Sequence, residues 1–194
     1  FILSFGLIIS GFIMSNFEEN TTFNNEKNLN QENSIEPTNN AEHFENYIIS
    51  HDLKYFNNFE DHELNINDNI LKGIFSYGFE RPSPIQRIAI KPLIDGSDMV
   101  IQSHSGTGKT AAFLIGILSN IKENEGTQSI VICNTRELAV QTSKVLNSIS
   151  CFTKITHKLC IGGDMQNKYI SEEINENIII GTPGRLCDLM NKNI

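Results

Sequence analysis

The sequence predicts an α/β fold, a parallel sheet with helices on both faces. Two observations carry this. From about residue 98 onward, short apolar runs alternate with stretches of helical period, the pattern of successive strand–helix units. Each run is followed by a Gly-rich or polar turn, and ligands of such sheets bind beyond the carboxyl ends of the strands. The candidate functional residues should therefore lie in those turns.

Composition divides the 194 residues into three parts. Residues 1–13 are apolar and uncharged. As a helix they would reach about 20 Å, short of the roughly 30 Å hydrocarbon core. The end of a signal or membrane segment, a misassigned start with Met14 as the true one, and ordinary core all fit. Met14 as the start is favoured, because no basic flank accompanies the apolar run. Residues 14–58 read as a disordered tail, with nine Asn between Asn16 and Asn40 interleaved with Glu and no steady period. Residues 59–194 read as the folded part. Eight Asp/Glu against two Lys in residues 15–58 account for most of the net charge of −8. A pI of about 5.1 argues against nucleic-acid binding by bulk charge but permits it through a few aimed groups. Cys133, Cys151, Cys160 and Cys187 show neither C-x-x-C nor zinc-finger spacing, so buried, reduced thiols are expected.

The elements follow in order. Asn67 or Asp68 caps a helix to about Tyr77, ended by Gly78. Ser83-Pro84 opens a second helix, with Pro where a missing N–H costs nothing, and Gly96 follows its end. A buried strand is predicted over 98–102, then a helix over 109–121. A strand at 129–133 leads to a helix over 136–149. A third strand at 155–160 precedes a helical stretch over 165–174. A fourth at 177–180 precedes a helix to about Asn191.

The turn after the first strand reads Ser103-His104-Ser105-Gly106-Thr107-Gly108-Lys109-Thr110. A triphosphate needs many donors and positive potential at close range. Gly106 and Gly108 let successive N–H groups point inward, and the following helix adds its N-terminal dipole. Lys109 suits the β- and γ-phosphates, and the Thr110 hydroxyl suits Mg²⁺. Ser103 stands where the general pattern has its first Gly. A Gly-rich loop without ligand is the bland alternative, and the position between strand and helix argues against it. ATP and Mg²⁺ are the expected cofactors, with Ser105, Gly106, Thr107, Gly108, Lys109 and Thr110 as the phosphate grip. Lys109 and Thr110 are the residues assigned to catalysis.

Four further segments narrow the class. Gly78-Phe79-Glu80-Arg81-Pro82-Ser83-Pro84-Ile85-Gln86 precedes the loop. Thr135-Arg136-Glu137-Leu138-Ala139-Val140-Gln141, Ile161-Gly162-Gly163 and Thr182-Pro183-Gly184-Arg185 follow it, each at a strand end. With the phosphate loop, these resemble the Q motif and motifs I, Ia, GG and Ib of DEAD-box ATP-dependent RNA helicases, most closely the initiation factor 4A-like subgroup. The resemblance covers about residues 59–194 and implies an incomplete N-terminal RecA-like ATP-binding domain.

It also implies roles. Gln86 would read the adenine edge, since a primary amide meets both a donor and an acceptor. Arg81 and Pro82 would shape the base pocket. Phe59 is the candidate to stack on the base, although it lies two residues farther from Gly78 than the family spacing, where Asp61 stands. A two-residue insertion or an altered stacking contact accounts for this, with Phe56 as the weaker candidate. Thr135, Arg136, Gly162, Gly163, Thr182 and Arg185 would hold the RNA backbone without reading sequence. Taken singly, each Arg reads as a surface ion pair of little value, and the Gly pair as a plain turn; their joint order reverses this. Motif Ia normally opens on Pro, where Asn134 stands. His104 reads as a spacer.

The D-E-A-D segment, the S-A-T segment and a second RecA-like domain do not occur in the 194 residues. The chain alone is therefore expected to bind without hydrolysing ATP, and to carry an open sheet edge. RNA and helicase-regulating proteins are the expected partners of a monomer in cytosol or nucleus, with no membrane. A non-enzymatic module binding ATP, RNA or a partner, another phosphate-loop enzyme such as a nucleotide kinase, and a related DNA helicase are the alternatives.

Overall fold

The computed structural model describes residues 55–163 and 174–192. The apolar segment, nearly all of the tail and the helical stretch expected at 165–174 lie outside, apart from Ile174.

Asn67 caps α1 (Asp68–Ser76) by accepting from the Asn69 N–H at 2.8 Å. Gly78 and Phe79 close its other end, donating to the Phe75 and Ile74 carbonyls at 3.0 and 3.2 Å, the paired bonds of a Schellman motif. Ser83 caps α2 (Pro84–Ile94) in a full capping box with Gln86. Helix α3 (Lys109–Asn120) follows the phosphate loop, and its residues from Ala111 to Leu118 are all buried.

Three strands, β1 (Ser129–Ile132), β2 (His157–Cys160) and β3 (Ile178–Gly181), form a parallel sheet in the order β1-β3-β2. Helix α4 (Arg136–Ser150) follows β1, and α5 (Pro183–Asn191) follows β3. Val131, Ile178 and Ile180 face the main core with α3, α4 and α1. Cys160 and Ile179 pack on Leu186 and Leu189 of α5 on the opposite face. Helices thus cover both faces, as the alternating pattern predicts. Because all strands run one way, the turns after β1, β2 and β3 emerge on one edge.

The strand expected at 98–102 does not form. Met99 and Ile101 pack against the core while Val100 is 95% exposed. The alternation is that of an extended chain, yet among the described residues its backbone takes no ladder hydrogen bond. An apolar run reports burial; a strand needs a neighbour as well. Ile130 and Ile132 of β1, which among the described residues pairs only with β3, are exposed. Among the described residues this edge of the sheet is unpaired.

Asn177 staples the opposite end of the sheet. Only 3% exposed, it accepts from Thr156 N–H at 2.9 Å and donates to the Glu125 carbonyl. Asn177→Ala strands both backbone groups and is expected to cost about 2–3 kcal/mol in urea denaturation. An unchanged midpoint would show that water replaces the side chain.

His157 ties β2 to α4 through Nε2 and the Ser143 hydroxyl, 2.9 Å apart. Burial pushes its imidazole below the ordinary value, against a smaller opposing pull from Glu176. The unfolded state therefore binds the proton more readily. Stability is held above about pH 6.5 and declines as pH falls toward the lower folded value. The melting temperature is expected to be lower at pH 5.5 than at 7.5, with a smaller difference in His157→Gln. An equal difference in both would remove His157 as the cause.

Candidate nucleotide and nucleic-acid site

Within the phosphate loop, Gly106 stands at φ 80° and Gly108, the N-cap of α3, at φ 92°. No side chain caps this helix, so its first N–H groups are available to an anion. A methyl on Gly108 would lie 2.6 Å from Gln86 Nε2, so this position needs glycine for space as well as for φ. Lys109 is 9% exposed and folds back on the loop, its ammonium donating to the Ser103 and His104 carbonyls. Burial lowers its pKa. Thr107 organises the turn, accepting from Ser103 Oγ and donating to the His104 carbonyl, each at 3.0 Å. Thr110 lies in the first turn of α3, partly exposed.

Two contacts stitch α2 to this loop. Ser83 Oγ donates to the Thr107 carbonyl at 2.8 Å, and Gln86 Nε2 to the Gly108 carbonyl at 3.3 Å. Gln86 Oε1 accepts from Ser83 N–H at 2.8 Å. Gln86 is 1% exposed, so in this arrangement it latches cap to loop and shows no open edge to a base. One amide hydrogen and one Oε1 lone pair remain for a further contact. Pro82 is buried and Arg81 exposed. Ser83 was readable as the first residue of S-x-x-Q, but its bond to the loop was not.

Phe59 is placed differently from the sequence expectation. It is 1% exposed and sits in the core, edge-on to Phe75 with centroids 6.4 Å apart. Phe56, at 4%, is likewise core, so neither ring offers a stacking face here. The extra residues after Phe59 wind into a 3-10 turn, His62–Leu64, capped by Asp61 and closed by Asn65 in the left-handed region. Aromatic chemistry alone does not separate a base platform from core packing.

The second cluster lies at the carboxyl ends of the three strands. Arg136, Gly162, Thr182, Gly184, Arg185 and Asp188 line one recess of about 370 Å³. A methyl on Gly163 would lie 2.7 Å from Arg136 Nη1, so the guanidinium rests against the Gly162-Gly163 turn. Thr182 precedes α5, whose start carries no side-chain cap. Thr135 stands apart from the recess lining. Its hydroxyl caps α4, accepting from Leu138 N–H at 3.1 Å. Arg185 pairs with Asp188, a lining residue that the motif reading did not name. Its i+3 spacing from Arg185 was the available signal.

Cys133 and Cys160 are buried, as expected, while Cys151 and Cys187 are exposed. Among the described residues, no group of three or more His, Cys, Asp or Glu could hold a metal ion. Among them, too, no helix is long and apolar enough to cross a membrane.

Comparison with known proteins gives a concordant result. The profile described as DEAD/DEAH box helicase matches residues 83–194. "ATP-dependent RNA helicase eIF4A" of Scheffersomyces stipitis and of Candida albicans are each 43% identical over 132 residues, 67% of this chain and 33% of theirs. The chain thus spans about a third of the length of these relatives. The solved structure of Saccharomyces cerevisiae Dbp5 bound to RNA and ADP BeF3 superposes with a TM-score of 0.63 at 38% identity. It covers 68% of this chain and 34% of that one. A DEAD box protein from Methanococcus jannaschii gives 0.65 at 36%, covering 72% and 38%. A Dbp5 variant bound to Nup159, a Gle1 variant, IP6 and ADP gives 0.61 at 37%, covering 66% and 34%. The fold is that of the RecA-like domain of these helicases, and the chain belongs to the DEAD/DEAH box helicase family.

Proposed function

We propose that this chain supplies the ATP-gripping and part of the RNA-gripping surface of an ATP-dependent RNA helicase. The convergence of Arg136, Gly162, Thr182 and Arg185 from three separate strand ends on one recess carries this reading. Two guanidiniums, glycine backbone and the open start of α5 suit phosphate oxygens and present little that distinguishes one base from another. Thr135, next to Arg136 at the start of α4, contributes its remaining hydroxyl hydrogen, and Gly163 the backbone against Arg136.

ATP binding rests on the uncapped start of α3 and on Lys109. A β- or γ-phosphate replaces the Ser103 and His104 carbonyls as the acceptor of its ammonium. Ser105, Gly106, Thr107 and Gly108 supply backbone around the phosphates. The uncapped α3 start and a partly exposed Thr110 fit a nucleotide-borne Mg²⁺, which would neutralise developing phosphate charge. Arg81 with Pro82 takes the adenine side, and Gln86 joins them when its amide turns from Ser83 and the Gly108 carbonyl to the base. Proteins that regulate helicases are the expected protein partners.

Fluorescence anisotropy with labelled oligo(U), oligo(A) and a mixed-sequence RNA tests the reading. Affinities for the three are expected to agree within about threefold and to fall as salt rises. The pair Arg136→Ala with Arg185→Ala is expected to weaken all three by at least tenfold. Strong preference for one sequence, or indifference to both arginines, contradicts the proposal.

A further inference from the structure

Resting on the RNA-backbone reading of the recess, we propose that Asp188 is a positioning residue for RNA, aiming Arg185 into the recess. Counted as charge alone, a carboxylate in the lining of a phosphate site is a defect, because it repels the ligand. Its bonding gives it another role. Asp188 Oδ2 accepts from Arg185 Nη1 one turn earlier on α5. Lys192, one turn later, lies 2.9 Å from Oδ1 and 3.0 Å from Oδ2. The trio carries a net charge of +1, with the carboxylate bracketed between two cations.

Exposure shows which group is held and which holds. The Arg185 side chain is 12% exposed, that of Asp188 39% and that of Lys192 57%. The guanidinium is set into the wall, the carboxylate grips it at the rim, and the ammonium pairs with the carboxylate from the solvent side. Hydrogen bonding to Lys192, with smaller help from Arg185, keeps the Asp188 carboxyl below its ordinary pKa, so the grip persists across physiological pH. Arg185 is a long side chain with several rotamers, and fixing its planar fork before phosphate arrives removes ordering cost from binding.

The consequence opposes charge counting. Neutralising Asp188 makes the site more positive, which alone would tighten RNA binding and steepen its salt dependence. Positioning requires weaker binding and no steeper slope. The test is anisotropy of a short labelled oligouridine against the whole chain, over a salt series, with thermal melts of every variant. Asp188→Asn is expected to weaken binding roughly three- to tenfold. Asp188→Glu, which keeps the charge and can reach Arg185, should recover most of the loss. Asp188→Asn placed on Arg185→Gln should add no further loss, because the carboxylate acts through that guanidinium.

Unchanged or tighter binding in Asp188→Asn, or a loss that persists in the Arg185→Gln background, overturns the inference. If Arg185→Gln alone leaves binding unchanged, the RNA reading of the recess fails and this inference falls with it, a result distinct from the others. Should Asp188→Asn not fold, Asp188→Ser, alone and on Arg185→Gln, decides. It should weaken binding about threefold or more alone and add nothing in the Arg185→Gln background, and an unchanged affinity or an additive loss overturns the proposal.

Discussion

Lys109→Ala is expected to weaken ATP binding about a hundredfold. The ammonium is nearly buried and already donates to two loop carbonyls, so it stands where the phosphates would arrive. Charge-assisted hydrogen bonds are worth roughly 1.5–3 kcal/mol each, and about 2.7 kcal/mol corresponds to a hundredfold change in affinity. Lys109→Arg should recover little, because a planar fork does not fit a space shaped for a compact ammonium. Titration with a fluorescent ATP analogue reads both. An affinity within threefold of the unsubstituted chain would mean that the loop does not grip the triphosphate. The substitution should leave the melting temperature nearly unchanged, since the freed carbonyls border solvent.

Gly73→Ala is expected to produce the largest loss of stability of any methyl addition at the described glycines. Helix α1 crosses the end of α4 at Gly73, and a Cβ there would lie 1.8 Å from the Ile149 carbonyl oxygen. That neighbour is backbone in the last turn of a helix, so it cannot swing aside as a side chain would. The helices must separate, opening the contacts of the fully buried Ile74 and Ile149. A cost of about 3 kcal/mol or more follows. Chemical denaturation measures it. A cost below about 1 kcal/mol would show that α1 can tilt without loss. Gly116→Ala should be costly for the same reason, though less so: its Cβ would meet Leu93 Cβ at 2.6 Å, an atom fixed to the α2 backbone, so α2 and α3 must also separate.

Much of this was legible in the sequence because local signals and tertiary demands agree. Asn67, Ser83 and Thr135 each cap a helix with their own side chain. The apolar runs at 129–133 and 155–160 became β1 and β2, slightly shortened, and that at 177–180 became β3, shifted by one residue. The turns after those strands hold the residues that converge on the recess. Legibility ended where a residue has two competent uses. Phe59 can stack on a base or fill a core, and the core holds it. Gln86 can read adenine or close a capping box, and here it closes the box. The run at 98–102 packs like a strand without ladder bonds, because pairing depends on a neighbour that local pattern does not encode. Asp188 escaped notice because the motif ends at Arg185, although spacing alone placed it one turn away.

The most direct measurement is an amide-resolved NMR titration of the isotope-labelled chain with a short unstructured RNA. The expected result is shifts concentrated at Arg136, Gly162, Gly163 and Thr182, Gly184 and Arg185, with the Asn177 end of the sheet unmoved. Shifts clustered away from the carboxyl ends of the strands, or none at RNA concentrations that saturate the anisotropy change, would contradict the placement of RNA in this recess.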